Sequence, residues 1–460
     1  MSFILLSLTT FTSLFSRLIS NLTFNNFNII KVIILISSGL IALPTIMDWS
    51  DLGVYYLTDG FSDVLVILTA FLIPTSIISN WNNIKNNLFF ELVFNLGIIL
   101  LINFMCQDIL SFYIYFEVSL IPLFIMISLY GAANRDKAAD YILIYTLFSS
   151  LFMLMSICIY QMLFNSTEYQ MVNLMVLSMD LQSIMFMGMM MGVAVKTPMA
   201  PFHTWLPVVH SESPLAGSML LAGVMLKLAI YAMMRLMLPT LSDASLLFTP
   251  FIYMLSLMTM MYTSLMTLRQ TDLKVIIAYS SMSHMAVCLM GMLSNTYMGM
   301  NGSLMLSLAH GLVSPALFMM VGGILYDRYH NRLMYYYQGL MTYMPVLSVY
   351  LMMLSFCNVG APLSLNFMGE LFSMAGAINK SPMIGSMATM SVLLSASYQM
   401  KMTNRLTGGM KSKYVKSVAD VTYRENLLML LLMMPTMFFG MYPKWMMEML
   451  TETNNVLYKM

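Results

Sequence analysis

The stretch that decides the fold is residues 192–235, GVAVKTPMAPFHTWLPVVHSESPLAGSMLLAGVMLKLAIYAMMR. Two lysines, Lys196 and Lys227, sit here inside runs that otherwise read as membrane-spanning helix. A charge near the bilayer centre costs about 2.5–3.5 kcal/mol on insertion scales, so it persists where it has a task. Between the lysines, Pro198, Pro201, Pro207 and Pro214 interrupt the backbone hydrogen-bond ladder. In lipid, broken backbone survives where it is buried in protein or lines a wet cavity. Buried charge beside broken helix is what an ion path requires. The competing reading, a lysine snorkelling to a headgroup, suits Lys196 better than Lys227, which lies deep in its run.

Outward from this stretch, windows of about twenty apolar residues each span a bilayer. Fourteen are expected: 3–20, 29–46, 61–79, 89–106, 109–130, 141–163, 181–202, 215–237, 246–267, 274–293, 302–325, 344–378, 384–400 and 427–443. The first is read as a span and not a signal peptide, since Arg17 lies at its far end and no small-residue cleavage site follows. Composition agrees. The chain is 59% hydrophobic and 9% charged, against about 25% charged in soluble domains. Its mean hydropathy is +0.79. A net charge of +1 offers no basic surface for nucleic acid.

The four cysteines, Cys106, Cys158, Cys288 and Cys357, fall in separate apolar runs without metal-ligand or redox spacing. His203 and His210 are likewise at no common ligand spacing, so no metal is expected. No glycine-rich nucleotide loop follows a strand-like run, so neither NADH nor ATP is expected to bind this chain. The 57 methionines are scattered along the whole length and read as packing material.

Loops after odd-numbered windows carry Lys85, Arg135, Lys137, Arg269, Lys274, Arg328, Arg332 and the basic stretch Lys401 to Lys416. Those after even-numbered windows carry mainly acids, with Arg235 and Lys380 as exceptions. By the positive-inside rule the odd loops face the matrix or cytoplasm and both termini face the opposite side. The seventh window is broken at Lys196-Thr197-Pro198 and Pro201, and the twelfth at Gly360-Ala361-Pro362. An odd offset between two broken segments makes them antiparallel, the pattern of a transporter core built from two inverted repeats. The expectation is an all-α polytopic membrane protein of about 14 transmembrane helices, with two inverted five-helix repeats and broken helices 7 and 12. Residues 1–88 would hold helices 1–3, residues 89–237 the first repeat, 246–400 the second, and 401–460 a basic loop and the last helix.

Embedded ionisable residues name the candidate path. Glu117 has no lysine or arginine on its own helix, and Lys196 is the expected partner that would keep it charged. Lys227 has no acid close by and reads as a titratable proton carrier. His310 lies five residues before Pro315 and is suited to passing a proton through either ring nitrogen. Glu370, after the second broken segment, would be the far end. His284, among Ser280, Ser281 and Ser283, is a secondary candidate whose serines would order water. His203 and His210, placed in the connection after the seventh window, are secondary candidates for an entrance. Glu212, Asp272 and Lys274 read as structural, the first as a helix-start residue and the others as a cap. Moving one proton against roughly 150–200 mV needs about 3.5–4.6 kcal/mol, and one pKa unit is worth about 1.36 kcal/mol. Opening or closing a buried ion pair is therefore enough to drive a step.

Residues 195–235, together with RQTDLKVIIAYSSMSHMAV, AHGLVSPALF and NFMGEL, resemble the chain 4 family of NADH:ubiquinone oxidoreductase, the antiporter-like membrane subunits of respiratory complex I. The resemblance covers nearly the whole chain, although before residue 90 it is one of hydropathy alone. The acid at Glu370 separates chain 4 from the sister chains 2 and 5, which typically carry lysine there. Ser213 stands where the family usually has alanine.

The resemblance implies proton translocation in a membrane arm, driven by quinone reduction in other subunits. Glu117, Lys196, Lys227, His310 and Glu370 are the proton-path residues it carries over. NADH, FMN, iron–sulfur clusters and ubiquinone would be held by other subunits and no cofactor by this chain. Partners would be the other membrane-arm subunits, chains 2 and 5 included, with accessory subunits and lipid, in the mitochondrial inner membrane. The methionine excess fits a mitochondrial code that reads an isoleucine codon as Met. The alternative is a Mrp-type cation/proton antiporter subunit, which would use the same buried charges.

Overall fold

A computed structural model describes residues 60–80, 87–173, 177–414, 419–444, 446–448 and 450. The windows at 3–20 and 29–46, and with them the sidedness of the amino terminus, lie outside the described residues. The described chain is helical. Its extended pairing, among the described residues, is limited to the isolated bridges Asp108–Glu168 and Asp272–Leu333.

In chain order the helices are α1 (Gly60–Ser79), α2 (Asn87–Met105), α3 (Ile109–Val118), α4 (Leu120–Tyr130), α5 (Arg135–Phe164), α6 (Met179–Lys196) and α7 (Trp205–Glu212). There follow α8 (Leu215–Thr240), α9 (Ser242–Arg269), α10 (Leu273–Leu293) and α11 (Tyr297–Tyr329). Last come α12 (Pro345–Val359), α13 (Leu365–Lys380), α14 (Pro382–Thr407) and α15 (Tyr423–Met441). Among the described residues eight stretches are long and apolar enough to cross a membrane: α1, α2, α3 with α4, α5, α8, α9, α10 and α11. Short polar signals start several of them. Asp108 caps α3 by accepting from the Ser111 amide at 3.3 Å, and Thr296 caps α11 through Gly299 at 3.1 Å. Within the helices, serine and threonine hydroxyls donate to carbonyls one turn back, as Ser256 does to Tyr253 and Thr263 to Thr259. That keeps polar side chains compatible with an apolar solvent.

Both broken segments are present. α6 stops at Lys196, where Thr197 closes the last turn onto Val193 and the two prolines carry no amide to continue the ladder. Trp205 then donates its indole N–H to the Val195 carbonyl at 2.9 Å, satisfying a group that the break exposes. α12 stops at Gly360, whose positive φ of 78° fits a residue without a β-carbon. Ser364 restarts the chain as the cap of α13.

α8 and α11 form the centre, each wholly buried over its apolar window, while α5 and α9 turn about half of theirs outward. Phe148, Met155, Phe251 and Met258 lie on that outer surface, as expected of helices against lipid or a neighbouring subunit. Three π-helical turns interrupt the central helices, at Leu221–Met225, Met233–Met237 and Met319–Leu325. Such turns leave carbonyls without their usual donor and concentrate at functional sites. Close approach depends on glycine. At Gly311 a β-carbon would press on the Gly223 carbonyl at 3.1 Å, so α8 and α11 approach backbone to backbone, and at Gly223 and Gly311 it would strike Leu72 and Leu68 of α1. At Gly302 and Gly369 it would overlap the opposing backbone at Ser373 and Leu306, so α13 lies flush on α11.

Glu212 is not the helix-start residue that its sequence context implies. It is the last residue of α7, where a carboxylate meets the wrong end of the helix dipole. Arg332 corrects this by pairing with Glu212 at 3.3 Å and donating to the Ser211 carbonyl. The carboxylate also accepts from the Asn134 amide at 3.0 Å, and the Glu212 carbonyl from Ala132 at 2.9 Å. Lys274 is likewise more than part of a cap. It is buried, and its ammonium donates to the Ser213 carbonyl at 3.1 Å. Asp272 does occupy the N-cap of α10, though its side chain makes no capping hydrogen bond.

Two outcomes follow from this packing. Arg332→Ala is expected to cost about 3 kcal/mol, the low end for breaking a buried pair, because Arg332 keeps some solvent contact. Unfolding of the purified protein in detergent measures it. Gly369→Val, which forces α13 off α11, is expected to cost at least about 1–3 kcal/mol by overpacking in the same assay.

Candidate functional site

The pieces of the site come from both sides of the α8–α11 contact. The π turn in α8 ends just before Lys227, and the Lys227 ammonium donates to the Ala222 carbonyl beside that turn. Across the glycine crossing, the same nitrogen lies 2.8 Å from His310 Nδ1. Both side chains are fully buried. The Ser314 hydroxyl donates to the His310 carbonyl at 2.7 Å, and α11 continues through Pro315 without a break.

His310 faces His284 on α10, with ring centroids 5.7 Å apart. His284 Nδ1 in turn lies 3.1 Å from Glu370 Oε1 on α13, an ion pair when the ring is protonated. Four ionisable side chains from four helices thus stand in one line, Lys227, His310, His284 and Glu370. Sequence context ranked His284 below the others, because the offset between α10 and α13 that brings it to Glu370 has no local signature. Ser280, Ser281 and Ser283 each donate to a carbonyl of their own helix. Glu370 finds its basic partner on α10.

The Glu117–Lys196 pair is not closed. Lys196 Nζ donates to the Phe116 carbonyl at 3.2 Å and sits 3.1 Å from the centre of the Phe116 ring. A cation over an aromatic face and on a carbonyl is a neutral substitute for a carboxylate partner. Pro122 has no amide to bond Val118 one turn back, and the fifth window divides into α3 and α4 at Ser119, two residues beyond Glu117. The Phe116 carbonyl accepts from the Ser119 hydroxyl at 2.7 Å as well as from Lys196. Both Glu117 carboxylate oxygens are shut off from solvent without a hydrogen bond among the described residues.

His210 lies on α7, the short helix within the connection after the seventh window, and is fully buried with its ring stacked on Phe318 at 4.5 Å. His203 does lie in the turn between α6 and α7, edge-on to Tyr262 at 5.3 Å. Neither joins the line of four. Among the described residues no three His, Cys, Asp or Glu side chains converge as a metal site would require.

Comparison with known proteins places this geometry. Residues 106–395 match the family model described as NADH:quinone oxidoreductase/Mrp antiporter, TM. NADH-ubiquinone oxidoreductase chain 4 of Debaryomyces hansenii is 64% identical over 97% of this chain and 94% of its own length. The chain 4 of Arabidopsis thaliana is 38% identical over 89% of this chain and 84% of its own. Among solved structures, a chain of Thermus thermophilus respiratory complex I with bound NADH matches with TM-score 0.82 and 26% identity, covering 88% of this chain and 85% of that one. A chain of the Mrp complex from Dietzia sp. shares the fold at TM-score 0.82 with 16% identity, over 97% of this chain and 94% of that one. Sequence identity over nearly the whole length and a shared fold lead to one assignment: the chain belongs to the NADH-ubiquinone oxidoreductase chain 4 family.

Proposed function

We propose that this chain is a proton-translocating membrane-arm subunit of respiratory NADH:ubiquinone oxidoreductase in the mitochondrial inner membrane. Its protons move along Lys227, His310, His284 and Glu370, with Glu117 and Lys196 as the switch that loads the line. The observation that carries the reading is the succession of ionisable side chains across the α8–α11 crossing. Lys227 meets His310 at 2.8 Å, His310 faces His284 at 5.7 Å between centroids, and His284 meets Glu370 at 3.1 Å. A protonated Lys227 has His310 Nδ1 as its acceptor, and the opposite ring nitrogen is free to pass a proton on. The Nε2 atoms of both histidines are buried without a hydrogen bond among the described residues, an arrangement suited to a bridging water. Glu370 closes the line as an acceptor.

The inverted-repeat reading, with repeats at 89–237 and 246–400 and fourteen spans in all, is supported by the placement of charge. Glu117 on the fifth span works with Lys196 on the seventh. Five spans on, His284 on the tenth pairs with Glu370 on the twelfth, so the acid and base have exchanged places. Each half also ends its pair at a broken segment. The open Glu117–Lys196 arrangement supplies the swing. When the carboxylate closes on the ammonium, the field felt by Lys227 changes, and its proton moves toward or away from His310. Quinone chemistry in other subunits would drive that closure, and this chain would hold no cofactor of its own. The basic odd-numbered loops would face the matrix, and chains 2 and 5 would be lateral neighbours.

The second reading is a cation/proton antiporter subunit, since the matching family description names Mrp antiporters beside NADH:quinone oxidoreductase. Pumping that starts only with NADH and quinone supports the first, and sodium-driven exchange without either supports the second. In the assembled enzyme in vesicles, Lys227→Met is expected to cut proton transport at least about tenfold, since proton relays contribute about 10²–10⁴-fold. Undiminished transport would overturn the order of transfer. His284→Ala should give a comparable loss, because it opens a gap between His310 and Glu370 too wide for one hydrogen bond. Retained pumping there would show that His284 is bypassed.

A further inference from the structure

Resting on that reading, the line does not stop at Glu370. Tyr398 on α14 is 2% exposed, and its hydroxyl makes no hydrogen bond among the described residues. α14 packs on α13 and α10, and the hydroxyls of Ser280 and Ser283 and the Glu370 carboxylate lie within electrostatic reach of the phenol. Ser280, Ser283 and His284 are three or four residues apart and share one face of α10. Tyr398 therefore looks onto the same face that delivers His284 to Glu370. Both serines commit their protons to their own helix, Ser280 to Ile277 and Ser283 to Ser280, each at 2.7 Å. Each serine oxygen keeps acceptor lone pairs available to a water. A buried phenol beside two acceptors and a carboxylate, but short of bonding any of them, is a site for ordered water.

Tyr253 on α9 is the internal comparison. Its hydroxyl is also buried and unbonded among the described residues, yet no charged or hydroxyl neighbour acts on it. Position adds a second argument. α14 follows the second broken segment as α8 follows the first, and α8 carries Lys227 at its centre.

We infer that Tyr398 is a proton-carrying station beyond Glu370, joined to the Glu370 carboxylate by water held against Ser280 and Ser283. A proton leaving protonated Glu370 through the water forms a new O–H bond on the phenol oxygen, while the original phenol proton passes to a second water on the side away from Glu370. The phenol is neutral before and after, and the carboxylate left on Glu370 faces His284 Nδ1 at 3.1 Å.

The test compares Tyr398→Phe, Tyr253→Phe and Glu370→Gln in the assembled enzyme, reconstituted in liposomes and driven by NADH and a short-chain quinone. Assembly is checked on native gels. Tyr398→Phe is expected to lower proton uptake at least about threefold and to change its solvent isotope effect in D2O. Tyr253→Phe, the same hydroxyl deletion, should leave both unchanged. Normal uptake by Tyr398→Phe, or an equal loss in the two tyrosine variants, overturns the inference while leaving the proposed function standing. Normal uptake by Glu370→Gln overturns the proposed function itself. If Tyr398→Phe does not assemble, Ser283→Ala decides the matter: reduced uptake with an altered isotope effect supports the station, and unchanged uptake removes it.

Discussion

The backbone contact between Gly223 and Gly311 is the constraint on which the rest depends. Two helices normally pack 8–10 Å apart, held off by side chains. Here the absence of β-carbons lets α8 and α11 close until Lys227 reaches His310 at 2.8 Å. Neither residue tolerates isolation, because an unpaired ionisable group in a water-free interior carries a heavy penalty. The crossing therefore does two things at once. It joins the halves of the molecule, and it gives each buried group the partner that justifies its burial.

Broken backbone serves the same end. A helix interior offers lipid-compatible side chains but no free carbonyls or amides. The Pro122 break beside Glu117, the turn after Lys196, the π turn before Lys227 and the Gly360 turn beside Glu370 each expose such groups next to an ionisable side chain. Lys196 and Lys227 both use them, donating to the carbonyls of Phe116 and Ala222. A cation held by carbonyl dipoles and an aromatic face is stabilised without being locked to a counter-charge. It stays free to respond when a carboxylate approaches. The same logic separates these lysines from Lys274 and Arg332, whose donors secure the chain around Ser211, Glu212 and Ser213.

Glu212 sits in HSESP, a context that locally resembles a helix start. It ends α7, an eight-residue helix too short for hydrophobic periodicity to register. The stability of α7 comes from contacts distant in sequence, with Asn134, Arg332 and Phe318. The partner of His284 is equally remote: its serines bond backward along their own helix, and the carboxylate it meets lies on α13.

What the sequence determined by itself was the class of protein, the positions of the apolar helices that are described, the two breaks and the identity of most embedded charges. These follow from local properties: hydropathy over a bilayer's thickness, missing proline amides, and the cost of a charge in oil. Which charges meet was decided by the tertiary structure alone. Phe116, and not Glu117, holds Lys196, and His284 stands between His310 and Glu370. Those pairings depend on helix crossings set by glycines on different elements, and a crossing has no signal in any one stretch of chain.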